Sequence, residues 1–139
     1  MLRMFRTIEI QAPADAVWRV AGRPERIADF HPDVTSASVE GRLRTCAYAD
    51  GTEVVERIVD HSVVHRFYTV ELVASGPPRP AYRACLAVRG HGEHSHVDWD
   101  VELAAECSSE TCELVRELDA SAGQALESLR RRLEALAAA

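Results

Sequence analysis

The sequence has no lysine, and all 16 of its basic residues are arginines. Without lysine, the chain has neither a Schiff-base nucleophile nor the lysine of a phosphate-binding P-loop. Acidic residues outnumber the basic ones at 22 to 16, which gives a formal net charge of −6. Nucleic acids and anionic membranes require clustered positive charge, so we expect neither of them as the main partner.

Long hydrophobic runs are also absent. No stretch approaches the roughly 20 apolar residues of a membrane-spanning helix, and the first ten residues lack the apolar core of a signal peptide. The cysteines show no CxxC spacing and lie at Cys46, Cys85, Cys107 and Cys112. We therefore expect a cytoplasmic protein with reduced thiols, although Cys107 and Cys112 could lie close together.

The length of 139 residues fits one domain, expected over 1–139, that buries a core without disulfides or metal. Hydrophobic periodicity and turn residues predict a strand, two short helices, six further strands and one long helix. The predicted strands cover residues 5–11, 35–40, 43–49, 53–59, 64–73, 81–88 and 97–104, and the predicted helices cover 14–20, 25–30 and 109–137. Strands joined by hairpin-length loops indicate an antiparallel meander within an α+β fold.

The last predicted helix is about 40 Å long, which is enough to cross a small sheet. Its apolar residues recur at three- and four-residue steps on one face, at Val115, Leu118, Ala122, Ala125, Leu129, Leu133 and Leu136. Gly123 costs about 1 kcal/mol relative to alanine there, so either the helix bends or something packs against its backbone. One amphipathic helix laid across a curved antiparallel sheet leaves a space between them, which is the main clue to function.

Short segments spread along the whole chain carry a family resemblance. They are IQAPADAVW (10–18), FHPDV (30–34), GRLR (41–44), DG (50–51), ER (56–57) with Asp60, PAY (80–82) and VDW (97–99). In this order they resemble the SRPBCC (START and Bet v 1-like) superfamily and its bacterial polyketide cyclase/dehydrase branch, where tryptophan usually replaces Phe30. The resemblance implies a helix-grip fold, with a curved antiparallel sheet of about seven strands wrapped around a long C-terminal helix and two short helices after the first strand.

Strand alternation predicts which side chains face the space under the helix. The apolar side of the last strand carries Trp99, the strand before it presents Tyr82 and Leu86, and the strand before that presents Arg66 and Tyr68. The residues that we expect to contact a ligand are Trp99, Tyr68, Arg44, Tyr48, Ile58, Val54, Leu86, Leu118, Ala122 and His31. For His31, a role as a helix-stop residue is an equal alternative.

The direction of Glu56 is left open by periodicity, because the two faces of strand 53–59 carry equal numbers of apolar residues. The resemblance favours an inward Glu56, since polyketide cyclases place functional side chains at alternate positions of this strand. A buried carboxylate needs a partner, and Arg44 and Arg66 are the candidates. The expected catalytic residues are Glu56 as general acid or base, Tyr82 to orient an oxygen, and Arg66 to stabilise an enolate. The alternative is a structural Glu–Arg pair in an apolar pocket.

Three histidines raise the question of a metal site. His91, His94 and His96 fall at a predicted hairpin tip, where exposed polar residues are the default. No carboxylate or thiol at a familiar spacing completes a zinc ligand set, so we expect no metal. We also expect no organic cofactor.

The sequence therefore predicts a polyketide cyclase-like enzyme that binds a hydrophobic, oxygenated small molecule. It would promote cyclisation or dehydration by positioning and acid/base catalysis. The alternative is a non-catalytic binding or carrier protein for a small molecule or lipid. A homodimer and an acyl carrier protein are further expected partners, and the acidic carrier protein would need an arginine patch such as Arg23 with Arg26.

Overall fold

The computed structural model describes residues 1–138, which form seven strands, two α-helices and one 3₁₀ helix. The strands are β1 (Leu2–Ile10), β2 (Val34–Glu40), β3 (Leu43–Tyr48), β4 (Glu53–Ser62), β5 (Phe67–Gly76), β6 (Tyr82–His91) and β7 (His94–Leu103). Helix α1 (Ala14–Ala21) and the 3₁₀ helix (Pro24–Asp29) follow β1, and helix α2 (Ser109–Ala138) follows β7.

All seven strands form one antiparallel sheet in the order β1-β7-β6-β5-β4-β3-β2. Strands β2 to β7 are consecutive neighbours, because hairpin-length loops join them. Strand β1 pairs with β7, so α1 and the 3₁₀ helix connect the two edge strands of the sheet. The predicted α+β architecture, with its seven-stranded sheet and long terminal helix, is confirmed.

Glycines with left-handed backbone conformations make two of the tight turns. Gly51, between β3 and β4, has φ of 89°, and Gly92, between β6 and β7, has φ of 70°. Such values are unfavourable for residues with a Cβ atom. The Thr52 N–H donates a hydrogen bond to Asp50 Oδ1 at 2.9 Å and closes the first of these turns.

The turn between β4 and β5 lies elsewhere than predicted. Strand β4 continues to Ser62, and β5 begins at Phe67 rather than at Val64. The valine pair at positions 63 and 64 has strand composition, but both side chains are exposed in the turn. Arg66 ends that turn with φ of 55°, so the strand alternation that predicted its direction does not extend to it.

Helix α2 crosses the sheet and buries most of the apolar face that its spacing predicts, although the last predicted member, Leu136, is exposed. Leu126, Leu129 and Leu133 pack into the main core, and Ala122 packs into a second cluster. At Gly123 an added Cβ would lie 2.9 Å from the guanidinium of Arg6. Close packing against the Gly123 backbone is therefore confirmed.

Within residues 1–138, no helix is long and apolar enough to cross a membrane. The four cysteines are free. The Sγ atoms of Cys107 and Cys112 lie 2.9 Å apart, which confirms that these two residues are close in space.

Candidate functional site

A cavity of about 390 Å³ lies between α2 and the concave face of the sheet. Its wall is formed mainly by β3 to β7, by α2 and by the segment that follows the 3₁₀ helix, with further residues from β1, the 3₁₀ helix and the β3–β4 and β5–β6 loops. Cavities of this size hold drug-sized ligands, and those cavities are usually apolar with a few polar groups in fixed positions.

The cavity brings together most of the residues expected to act on a ligand. Those that line it are Glu56, Tyr82, Trp99, Tyr68, Arg44, Tyr48, Leu86, Leu118, Ala122 and His31. They come from five strands, from α2 and from the segment after the 3₁₀ helix. Strand alternation located Trp99, Tyr82, Leu86 and Tyr68, because each strand presents one face to the helix.

Three of the expected residues lie outside the cavity wall. Val54 and Ile58 are on the same face of β4 as Glu56, but both are buried in the protein interior. Arg66 was expected to face inward, and this prediction is wrong. Its guanidinium leaves the turn before β5 toward helix α1 and forms an ion pair with Asp15.

The Glu56 side chain lines the cavity, and both of its carboxylate oxygens accept hydrogen bonds there. Arg44 and Glu56 are direct partners in the β3–β4 pairing, so their side chains leave the same face. Arg44 donates to Glu56 Oε1 from Nε at 3.1 Å and from Nη2 at 2.8 Å. The Tyr82 hydroxyl donates to Glu56 Oε2 at 2.5 Å. These three donated hydrogen bonds engage both oxygens of the carboxylate.

The Arg44 guanidinium also has partners on all three of its nitrogens. Its Nη1 donates to the Pro24 carbonyl and to the Tyr68 hydroxyl, both at 3.1 Å. Only 5% of the Arg44 side chain and 7% of the Glu56 side chain are exposed. A buried ion pair of this kind persists because both carboxylate oxygens and four of the five guanidinium N–H groups have a partner.

The three tyrosines differ in what their hydroxyls do. Tyr68 and Tyr82 are hydrogen-bonded to the ion pair, whereas the Tyr48 hydroxyl makes no hydrogen bond of this kind among residues 1–138. Burial, reinforced by the Glu56 charge, raises the pKa of Tyr48 and of Tyr82 well above the usual value. The Tyr48 hydroxyl is therefore neutral. It is available to donate a hydrogen bond to a molecule in the cavity.

A second polar group lies at the side of α2. His31 is buried, and desolvation lowers its pKa to about 4, so the ring is neutral near pH 7. Its Nδ1 accepts a hydrogen bond from the Asp33 N–H at 3.2 Å, which leaves the hydrogen on Nε2. The Ser121 hydroxyl donates to Asp33 Oδ2 at 2.8 Å and lies 3.5 Å from His31 Nε2. This network links α2 to the segment before β2.

Sequence reasoning missed several residues of the cavity wall. Asp33 lies within the segment 30–34 that carries the family resemblance, so that segment was the available signal. Ser121 has no such signal, because a single serine on a helix is common. Arg79 lies in the β5–β6 loop, outside any periodic pattern, and its guanidinium lies 5.9 Å from the centre of the Tyr48 ring.

The entire sequence, residues 1–139, matches the family described as "Polyketide cyclase / dehydrase and lipid transport". The chain belongs to this family. Its members' described activities, on polyketides and lipids, concern hydrophobic small molecules, which fits the cavity under α2. The resemblance inferred from the short segments is thereby confirmed. No curated protein matches the sequence.

Solved structures confirm the helix-grip fold of the family. The protein XoxI from Bacillus cereus is 24% identical, with a TM-score of 0.87 and coverage of 98% of both chains. The Zhui aromatase/cyclase from Streptomyces sp. R1128 is 14% identical, with a TM-score of 0.78 and coverage of 96% of this chain and 93% of that chain. A START superfamily protein from Mycobacterium smegmatis is 13% identical, with a TM-score of 0.74 and coverage of 96% and 98%.

Proposed function

We propose that this protein is a polyketide cyclase-like enzyme that promotes ring closure or dehydration of a hydrophobic, oxygenated small molecule in the cavity. The observation that carries the proposal is the position of the Tyr82–Glu56 hydrogen bond beside the unpaired Tyr48 hydroxyl. Family membership supports the same kind of reaction. No metal or organic cofactor is required for the step proposed below.

The ring closure would use Tyr82 and Glu56 as a proton relay. An acidic C–H proton of a poly-β-keto chain passes to Tyr82 Oη, while the hydroxyl proton of Tyr82 passes to Glu56 Oε2. The resulting enolate carbon forms a bond with a second carbonyl carbon, and the relay returns the proton to the new alkoxide. Loss of that hydroxyl with a neighbouring proton, as water, then completes a dehydration.

Tyr48 would stabilise the enolate oxygen. A neutral hydroxyl in a water-poor cavity donates a stronger hydrogen bond to developing negative charge than it does in bulk water. Because Tyr48 lines the cavity and its hydroxyl makes no side-chain hydrogen bond to the ion pair within residues 1–138, it can donate to a substrate without first losing such a bond. Tyr48 thus takes the role of enolate stabilisation that was expected of Arg66.

A non-catalytic binding or carrier function is the second candidate, and one observation favours it. Three donated hydrogen bonds already engage both oxygens of the Glu56 carboxylate, and two of them come from Arg44. In that case the same cavity binds a lipid-like molecule and releases it unchanged.

The cytoplasmic location, the homodimer and the acyl carrier protein partner stay predictions from the sequence.

The test of the enzymatic proposal is the Tyr48→Phe variant assayed on synthetic linear poly-β-keto thioesters. We expect at least a tenfold lower rate of formation of cyclised, dehydrated products, because one oxyanion donor is commonly worth about 100-fold or more. The readout is the mass of the product, measured by mass spectrometry, which should be lower than that of the substrate by one water.

Folding of Tyr48→Phe should be nearly unchanged, since the hydroxyl makes no internal hydrogen bond, and its unfolding curve is the control. Tyr82→Phe should also lower the rate by cutting the relay. Full turnover by both variants would contradict the acid/base mechanism. Binding of the thioesters with no conversion by the wild type would favour the carrier function instead.

A further inference from the structure

Four potential metal ligands share one corner of the sheet: three histidines of the β6–β7 hairpin and one carboxylate from β1. His94 and His96 are two residues apart in β7, so their side chains leave the same face. In the strand pairing, His91 of β6 lies opposite His94, and Glu9 of β1 lies opposite His96. Directly opposed residues of an antiparallel pair project to the same side. The register thus groups three imidazoles and one carboxylate.

This group lies on the outer face of the sheet and is separate from the cavity. Ser95 and Val97 alternate with the two β7 histidines, and both are fully buried. His94 and His96 therefore point away from α2. Their side chains are 40% and 28% exposed, which leaves them accessible to an ion from solvent.

The spacing of the ring centres is close to that of imidazoles that share one ion. The ring centres are 5.3 Å apart for His91 and His94, 5.0 Å for His91 and His96, and 6.0 Å for His94 and His96. Three imidazoles bound tetrahedrally to one zinc through nitrogens about 2.1 Å away have ring centres roughly 5 Å apart. The Nε2 atoms of His94 and His96 each lie 4.0 Å from a carboxylate oxygen of Glu9.

One ring nitrogen of the group lacks a partner. His96 Nδ1 is buried and has no hydrogen bond within residues 1–138, which is a costly state for a polar atom. No set of three His, Cys, Asp or Glu side chains in this range already has coordinating geometry. The rings are partly exposed, so rotation about their side-chain torsions is needed to bring the nitrogens to one point.

The surrounding charges permit a cation. Arg89 lies opposite His96 on β6, and its guanidinium is held by the Asp98 carboxylate at 2.6 Å, which offsets its positive charge. Glu9 supplies a negative charge to the group. The sequence argument against a metal was that no carboxylate completes the ligand set at a familiar spacing. Glu9 completes it across the β1–β7 pairing instead.

We propose that Glu9, His91, His94 and His96 bind one divalent transition-metal ion of the zinc class. Neutral imidazole and carboxylate are common ligands of Zn²⁺. The two histidines of β7 and the one of β6 can occupy three coordination positions of a tetrahedral ion, and Glu9 can occupy the fourth. The ion would join β1 to the β6–β7 hairpin, so its role is structural and independent of the cavity.

Calorimetric titration of the untagged full-length chain with zinc chloride tests the site. We expect one ion per chain. His94→Gln and His96→Gln should each weaken the affinity at least tenfold, and Glu9→Gln should weaken it less. His65→Gln, which changes a histidine in the β4–β5 turn, is the matched control and should leave the affinity unchanged.

Thermal unfolding gives a second readout that does not depend on any single variant. Zinc should raise the melting temperature of the wild type, because an ion that binds only the folded state stabilises it. The triple variant H91Q/H94Q/H96Q should show no such rise. Equal zinc affinity of the wild type and the triple variant, or a loss of affinity in His65→Gln alone, would overturn the proposal.

Discussion

Glu56→Leu is expected to lower the free energy of unfolding by about 3–5 kcal/mol. The substitution leaves the Arg44 guanidinium buried without its counter-charge, and it removes the acceptor of the Tyr82 hydroxyl. Only 5% of the Arg44 side chain is exposed, so water compensates little for the lost carboxylate. Urea unfolding followed by circular dichroism measures the loss.

A double-variant cycle separates the ion pair from the shape of the cavity. Arg44→Met should destabilise the protein by a similar amount, because it isolates the Glu56 carboxylate. The double variant R44M/E56L should lose less than the two single variants combined, since no buried charge remains. Glu113→Gln, which breaks an exposed ion pair with Arg116, is the control and should cost less than about 1 kcal/mol. Additive losses would contradict the account of a coupled buried pair.

The stability of the protein should fall by about 3 kcal/mol between pH 6.5 and pH 4 through His31 alone. The pKa of His31 is about 4 in the folded protein and about 6.5 in the unfolded chain. Between these values the unfolded state binds more protons, so stability rises with pH and is lost as pH falls. Burial is the cause, because a protonated ring would be poorly solvated beside Trp99 and Tyr48.

Unfolding free energies of the wild type and His31→Gln at pH 7, 6, 5 and 4 isolate this contribution. Carboxylates with lowered pKa values titrate in both proteins, so both lose stability as the pH falls. The free energy of unfolding should fall less in the variant, by about 3 kcal/mol at pH 4, because the variant lacks the His31 contribution. His65→Gln should keep the slope of the wild type. Parallel curves for wild type and His31→Gln would show that His31 is not a buried neutral ring.

The order of elements could be predicted because its signals are local. Alternation along each strand, the Asp50-Gly51 turn and the periodicity of α2 all act within a few residues. The turn at 63–66 was misplaced because its valines have strand composition, and only tertiary structure shows that they are exposed. The direction predicted for Arg66 failed with it.

The site could be predicted only in part, because its decisive contacts are long-range. Periodicity left the direction of Glu56 open, and the β3–β4 register that sets it opposite Arg44 resolves it. The same limit hid the corner where Glu9 meets His94 and His96, since β1 and β7 lie at opposite ends of the chain. Loop residues such as Arg79 carry no periodic signal at all.

The proposed function requires that the cavity under α2 binds an apolar small molecule. Fluorescence titration with the naphthalene dye 8-anilinonaphthalene-1-sulfonate, using wild type and Ala122→Phe, measures this most directly. Ala122 lies in the cavity wall, so a phenyl ring there occupies the space, whereas Ala120→Phe places the same ring on the exposed side of the helix. The account predicts one dye per wild-type chain, at least tenfold weaker binding in Ala122→Phe, and unchanged binding in Ala120→Phe. Equal binding by all three folded proteins would contradict it.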